Sequence, residues 1–274
     1  METDLLLIPM GTTYREMRAA ALAADAAGFA GLWTWDHLRG TDGGTTPEAW
    51  TTLTGLAEAV ARPMIGPLVL NVINRQPGVL ANMAATLQQV SGGRLILGIG
   101  AGGSRATPYA REQDAIGQPV GGDRTRAARV VEAIQVMKRL WAGDARSFQG
   151  VHYQLDRPSG FLRADPPPPI VVGAFGMAMA KVAGQYADGL NTQATHPRLD
   201  QMVATAREAH AASGRDPAEF LVTVFAGLSE AWLRPGSRNR EALDRLGVAR
   251  LILLVEPPYN LDAVAAAGQM LRGA

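Results

Sequence analysis

Eight short apolar runs recur along the chain, each followed by a stretch of helical composition, and this alternation constrains the fold more than any other feature. The runs are LLLIP (5–9), GLWTW (31–35), MIGPLVL (64–70), RLILGIG (94–100), PIVVG (169–173), DGLNT (188–192), FLVTVFA (220–226) and RLILLVE (250–256). Helices are expected near 14–27, 47–60, 78–90, 124–142, 176–186, 198–213, 237–246 and 261–272. Strands that are apolar on both faces and joined by helices belong in a parallel sheet covered on both sides. Eight such units in 274 residues predict an α/β chain closed into a (β/α)8 TIM barrel, a single domain over 1–274, because that architecture takes about 250 residues.

Local punctuation agrees with this order. Gly28 and Gly247 follow helical stretches and precede strands, where the left-handed position just past a helix end suits glycine. Thr46-Pro47 and Asp216-Pro217 place a capping side chain before a proline at a first helical position, and Asp123 is expected to cap the long helix ending at Trp141. Two insertions follow the fourth strand. Residues 101–123, AGGSRATPYAREQDAIGQPVGGD, are long, polar and glycine-rich for a connection, which marks them as mobile or functional. SFQGVHYQLD (147–156) reads as a small hairpin turning near Gly150.

Composition removes several functions. The formal charge is +1 and the arginines are scattered along predicted helices, so no basic face for nucleic acid is expected. The absence of cysteine excludes disulfides, thiolate nucleophiles and cysteine-ligated zinc. Only His37, His152, His196 and His210 are available as imidazole ligands; His210 is expected on a surface helix and His152 in the hairpin, so no metal site is expected. The start METDLLLIPM lacks a basic stretch and no apolar run approaches about 18 residues, so a soluble cytoplasmic protein acting on a small molecule, without a membrane partner, is expected.

A barrel of this kind carries its active site at the C-terminal ends of the strands. Asp36 and His37 stand there. Adjacent side chains at a strand exit point different ways, so one can face the mouth while the other braces a loop; a loop histidine capped by its neighbouring acid is the structural alternative. In GGRLILGIGAGGS (92–104), Gly98, Gly100 and Gly103 fit G-x-G-x-x-G with Asp123 twenty residues on, yet they open a long irregular loop and Asp123 starts a helix, which is the wrong context for a dinucleotide fold. Those glycines admit either a flat ring or tight packing at the rim. Gly173-Ala174-Phe175-Gly176 ends a strand and opens a helix, a turn whose N–H groups suit an anion or simply join the two elements.

Taken in order, strand-WDH, GPLVLNVINRQPGVLANMAATLQQVSGGRLILGIGAG, DRTRAARVVEAIQVMKRLWAG, FQGVHYQLD, PPPPIVVGAFG and AGQYADGLN resemble the luciferase-like flavin- or deazaflavin-dependent oxidoreductases over about 14–230. The segment GAFG-x-x-x-A-K-x-A-G-x-x-A-D-G is more similar to the coenzyme F420 branch than to FMN monooxygenases. The resemblance implies a barrel, often a homodimer, holding a flat ring in its mouth, with Asp36 and His37 beside the ring. It places Leu68, Val69 and Asn71 at a bulge with a non-proline cis peptide behind the ring. Ala101 and Gly102, with Gly103 beside them, match a cofactor-contacting loop, and Gly173, Ala174, Phe175 and Gly176 with Thr192 match the tail-phosphate site. The implied activity is F420-dependent hydride transfer to or from a small organic substrate, with Asp36 and His37 as catalytic candidates and His37 positioning or exchanging a proton. An FMN-dependent monooxygenase and a non-catalytic cofactor-binding barrel are the alternatives. One departure stands out: sugar-phosphate dehydrogenases of this branch carry an acid directly after the glycine matching Gly102, where this chain has Gly103. Their acid-base partner is therefore expected to be missing, and sugar phosphate is a poor substrate expectation.

Overall fold

The computed structural model describes residues 1–40 and 44–273. Its strands are β1 (Glu2–Leu7), β2 (Gly31–Thr34), β3 (Met64–Pro67), β4 (Leu70–Asn71), β5 (Leu97–Gly100), β6 (Phe148–Gln149), β7 (Gln154–Leu155), β8 (Ile170–Gly173), β9 (Gly189–Gln193), β10 (Leu221–Gly227) and β11 (Arg250–Val255). The helices are α1 (Tyr14–Ala27), α2 (Ala49–Ala59), α3 (Pro77–Val90), α4 (Ala110–Ala115), α5 (Asp123–Trp141), α6 (Met177–Tyr186), α7 (Leu199–Ala212), α8 (Glu230–Leu233), α9 (Arg238–Arg245) and α10 (Leu261–Leu271). All pairings in the large sheet are parallel, in the order β3-β2-β1-β11-β10-β9-β8-β5-β4. β3 and β4 are two halves of the single run 64–71, interrupted at the cis Leu68–Val69 peptide, so the order begins and ends on the same stretch of chain. That circularity is the closed (β/α)8 barrel.

Alternation along each strand divides the apolar residues into two layers. Leu6, Ile8, Trp33, Leu68, Ile96, Val171 and Ile252 point inward and pack on one another. Their neighbours Leu5, Leu7, Leu32, Leu97, Val172 and Leu253 point outward against Met17, Leu53, Leu80, Val130 and Ile134 of the helices. Each fully buried side chain of this size contributes about 1.5–3 kcal/mol of burial energy, so the far larger outer layer dominates hydrophobic stabilisation. The interior is left free to carry polar groups.

One such group closes the barrel floor. Asp4 is fully buried; Trp33 Nε1 donates to its Oδ2 at 2.8 Å and Arg250 Nε lies 3.1 Å away. Burial pushes the Asp4 carboxyl up to about 6, and the neighbouring Arg250 and Trp33 offset that only in part. Gly31 is required here, since a β-carbon would stand 2.6 Å from the Asp4 carboxylate.

Several local expectations change. Glu48, not Thr46, caps α2, because its carboxylate accepts from the amides of Trp50 and Thr51. Asp123 lies within α5 and pairs with Arg126, while Gly122 is the cap residue. Asp216 does cap, but over a short 3-10 turn at 217–219. His210 is buried against Phe220 rather than exposed, and burial lowers its pKa. Gly28 and Gly247 occupy the left-handed region, with φ of 89° and 66°. The hairpin expected at 147–156 is present as β6 and β7, and the Glu132 carboxylate receives the amides of Val151, His152 and Tyr153 at its turn.

Candidate functional site at the barrel mouth

Asp36 and His37 leave β2 in different directions, and their surroundings differ accordingly. The Asp36 side chain is buried and accepts both guanidinium ends of Arg75, each at 2.8 Å, and the Asn71 amide at 2.9 Å. Arg75 also pairs with Glu48. Burial works against charge on Arg75, but these two carboxylates outweigh it and raise its pKa. Burial likewise opposes ionisation of Glu48, yet the Thr51 and Trp50 amides and Arg75 hold its carboxyl below the usual range. Asp36 thus braces the turn after β4 through Arg75 and the Asn71 amide.

His37 remains half-buried at the mouth. Its Nδ1 lies 2.7 Å from Glu112 Oε1, and the other oxygen of that carboxylate accepts the Leu38 amide at 3.0 Å. Tyr109 stacks on the imidazole at 4.7 Å, and Trp35 meets it edge-on at 5.7 Å. Glu112 sits on α4, inside the segment 101–123. Position 103 itself carries no acid, and the carboxylate that meets His37 comes instead from Glu112 on α4, nine residues beyond Gly103. The run YAREQDA has the composition of a short helix, which was the one available signal.

Behind this pair, the Leu68–Val69 peptide is cis and Leu68 is buried. The half-buried Val69 side chain rests on glycines: a β-carbon on Gly100 would come within 2.6 Å of it, and one on Gly173 within 2.9 Å. Gly98 faces the Pro67 carbonyl. Of the two uses open to these strand-end glycines, tight packing explains Gly98 and Gly100. Gly102, with φ of 72°, and Gly103 make room for Asn71 and Tyr109 respectively, each at 2.6 Å from an added β-carbon. The carbonyls of Ala101 and Gly102 accept from Arg126 at 3.2 and 2.7 Å, which fixes the start of the loop.

The β8–α6 corner is the polar end. Gly176 is the N-cap of α6 and gives it no side-chain cap, so the first-turn amides have no intrahelical partner. Ala174 is an exception to the anion-site expectation, since it is buried and its N–H goes to the Asn191 carbonyl at 2.8 Å. Phe175 is exposed, its ring 6.2 Å from that of Phe225. Thr192, on the adjoining strand, is buried with Oγ1 unpartnered.

Fold and site together define a (β/α)8 barrel with a glycine-backed mouth and a carboxylate-held histidine at its rim. The chain belongs to the luciferase-like monooxygenase family, whose model matches residues 4–252. It is similar to an F420-dependent glucose-6-phosphate dehydrogenase of Nakamurella multipartita, 32% identical over 206 residues covering 73% of this chain and 59% of that protein. An F420-dependent hydroxymycolic acid dehydrogenase of Mycobacterium tuberculosis is 32% identical over 202 residues, covering 73% of this chain and 54% of the relative. The chain thus spans little more than half the length of these relatives. In fold it is similar to an F420-dependent secondary alcohol dehydrogenase solved with an F420-acetone adduct (TM-score 0.83, 19% identity, 99% of both chains). It also matches the coenzyme F420-dependent tetrahydromethanopterin reductase of Methanopyrus kandleri (TM-score 0.80, 19% identity, 99% of this chain and 98% of that one).

Proposed function

We propose that residues 1–274 act as one barrel domain, a coenzyme F420-dependent oxidoreductase that moves a hydride between the deazaflavin and a small organic substrate. The observation that carries the reading is the pairing of His37 Nδ1 with Glu112. The Glu112 carboxylate is an acceptor already engaged by the Leu38 amide, so the neutral imidazole carries its proton on Nδ1 and presents the Nε2 lone pair. From the mouth, Nε2 takes a proton from a substrate hydroxyl and returns it in the opposite direction. Tyr109 and Trp35 fix the plane of the ring while this happens. When bound, F420 supplies the two-electron hydride acceptor or donor.

The residues fit that cofactor. Val69 on its glycine bed offers an apolar backing for a flat ring, the uncapped α6 terminus suits a phosphate, and the unpartnered Thr192 hydroxyl lies at the same corner. The F420 dependence of the two dehydrogenase relatives supports the same choice. Titrating the purified protein with oxidised F420 and with FMN, read by cofactor absorbance and fluorescence, tests it: F420 binds and FMN does not at matched concentrations. Tight FMN binding without F420 binding overturns the reading in favour of a flavin monooxygenase. F420 binding without hydride transfer across a broad panel of alcohols and carbonyl compounds favours a non-catalytic binding barrel.

No described helix is long and apolar enough to cross a membrane. We place the protein in the cytoplasm as a homodimer, a reading supported by the cysteine-free composition and by the family resemblance. An apolar groove on the outer faces of α2 and α3, lined by Trp50, Val79, Met83, Val90 and Phe161, is consistent with a subunit contact. Light scattering of the purified protein reads the mass directly, and a monomer refutes the dimer.

A further inference from the structure

Above the floor, the inward-facing side of the barrel is made of apolar side chains and glycines, and one polar pair interrupts it. Asn191 of β9 stands in register with Gly173 of β8 and with Thr223 of β10, so it points inward with both, while its neighbour Leu190 packs outward on the helices. Asn191 is 2% exposed, and its Nδ2 donates to Thr223 Oγ1 at 2.8 Å. The Thr223 hydroxyl gives its one proton to the Leu190 carbonyl at 3.1 Å, so toward Asn191 it can only accept. This fixes the amide. Nδ2 faces β10 and Oδ1 faces away from it. Among the described residues no group donates to Oδ1, and it is not sealed from solvent as the Thr192 hydroxyl is. Packing and internal bonding account for Nδ2 and for the hydroxyl, but not for this oxygen. Asn191 also adjoins the corner read above as the phosphate site, since its backbone carbonyl takes the Ala174 amide at 2.8 Å. Gly173 puts no side chain between Asn191 and Val69, so the two flank the same bare strand position.

We infer that Asn191 selects the deazaflavin over FMN, its Oδ1 accepting from the hydroxyl that F420 carries on its benzenoid ring where FMN carries a methyl group. The inference rests on the F420 reading above. The surroundings favour that hydroxyl over the other ring donor, the imide N–H common to both cofactors. The imide N–H lies between two carbonyls, which call for donors of their own, and the inward-facing neighbours Val171 and Phe225 supply none. The hydroxyl lies between C–H groups, which suit an apolar lining with a single acceptor in it. Against FMN, Oδ1 is desolvated by a methyl group and left without a partner. The penalty on the wrong cofactor thus adds to the bond made with the right one.

The test titrates F420 and FMN into wild type and into Asn191→Leu, which keeps the branched shape and removes the acceptor. The F420 Kd is expected to rise about tenfold, while FMN binds the variant at least as well as it binds the wild type. Thr223→Val is the second variant should the first fail to fold; it frees the amide to turn, and the F420 Kd is expected to rise about threefold. The chromophore supplies an independent readout. Accepting a hydrogen bond from the hydroxyl favours its protonated form, so the absorbance change on its ionisation is expected at higher pH in wild type than in Asn191→Leu. F420 and FMN affinities that fall together overturn the inference, as does a bound hydroxyl that titrates at the same pH in both proteins. A wild type that binds FMN and no F420 overturns the cofactor reading and this selection with it. F420 binding with an unchanged preference in the variants overturns the selection alone.

Discussion

Two buried aspartate–arginine pairs, one at each end of the barrel, are built in opposite ways. At the floor, Asp4 and Arg250 are both buried; the ion pair is poorly aligned, with Asp4 Oδ1 and Arg250 Nε lacking hydrogen-bond partners, and burial raises the Asp4 pKa. At the mouth, Asp36 takes a bidentate Arg75 and a backbone amide, and Arg75 has a second carboxylate in Glu48. A buried charge is tolerated when its lone pairs are satisfied and resisted when they are not. The mouth pair is therefore a rigid strut supporting the turn behind the site, whereas the floor pair is a plug whose charge state the fold opposes. Beside the strut a second ionisable pair, His37 and Glu112, stands half-buried at the mouth.

The sharpest way to break the contrast is to remove one acid at each end. Asp36→Ala leaves Arg75 with Glu48 alone and is expected to cost about 3 kcal/mol in urea unfolding at pH 7, since an incompletely compensated buried charge remains. Asp4→Asn at pH 4 is expected to cost less than about 1 kcal/mol, because the fold already favours the neutral acid there. Equal losses would erase the distinction. The second measure is the pH dependence of the floor. The folded pKa of about 6 lies above the ordinary 3.8, so the Asp4 contribution is fully present below about pH 4 and is lost as pH rises through 6. Relative to Asp4→Asn, the wild type should lose stability on the order of 2–3 kcal/mol between pH 4 and 7. A flat difference would mean that Arg250 compensates Asp4 in full.

Catalysis separates the ends again. His37→Ala is expected to lower the hydride-transfer rate about 100-fold, or about 2.7 kcal/mol, with F420 binding and the unfolding midpoint little changed. An unchanged rate removes His37 from the reaction. The smallest effect is expected at Glu112→Gln, which keeps the Leu38 amide contact but loses the charge facing Nδ1: kcat falls about tenfold at constant KM, and Glu112→Asp recovers part of it. A change confined to KM would mean that Glu112 shapes the pocket rather than the imidazole.

Much of the architecture was legible because periodicity is local. The eight runs became eight barrel strands with ends shifted by a few residues, as at β1, which spans 2–7 rather than 5–9. Gly28 and Gly247 held their places because a helix end followed by a strand needs a left-handed turn wherever it occurs. The misreadings were local alternatives settled by neighbours: Glu48 displaced Thr46 as a cap because it also meets Arg75, and His210 was drawn inside by Phe220. The candidate site was legible only in part. Asp36 and His37 stood out by position, but nothing in their own segment says which of them faces the mouth. Glu112 lies 75 residues from His37 and could not be paired with it along the chain.

The sequence by itself determined that this chain closes a parallel barrel and delivers an acid and a histidine to its rim, since strand and helix periods, caps and turns act over a few residues. The tertiary structure decided their roles. Arg75 commits Asp36 to the scaffold, Glu112 returns from a distant loop to hold His37, and Gly100 and Gly173 make space for Val69 behind them. Each of those assignments depends on a charge finding its partner, or a side chain its space, across strands that only the closed barrel brings together.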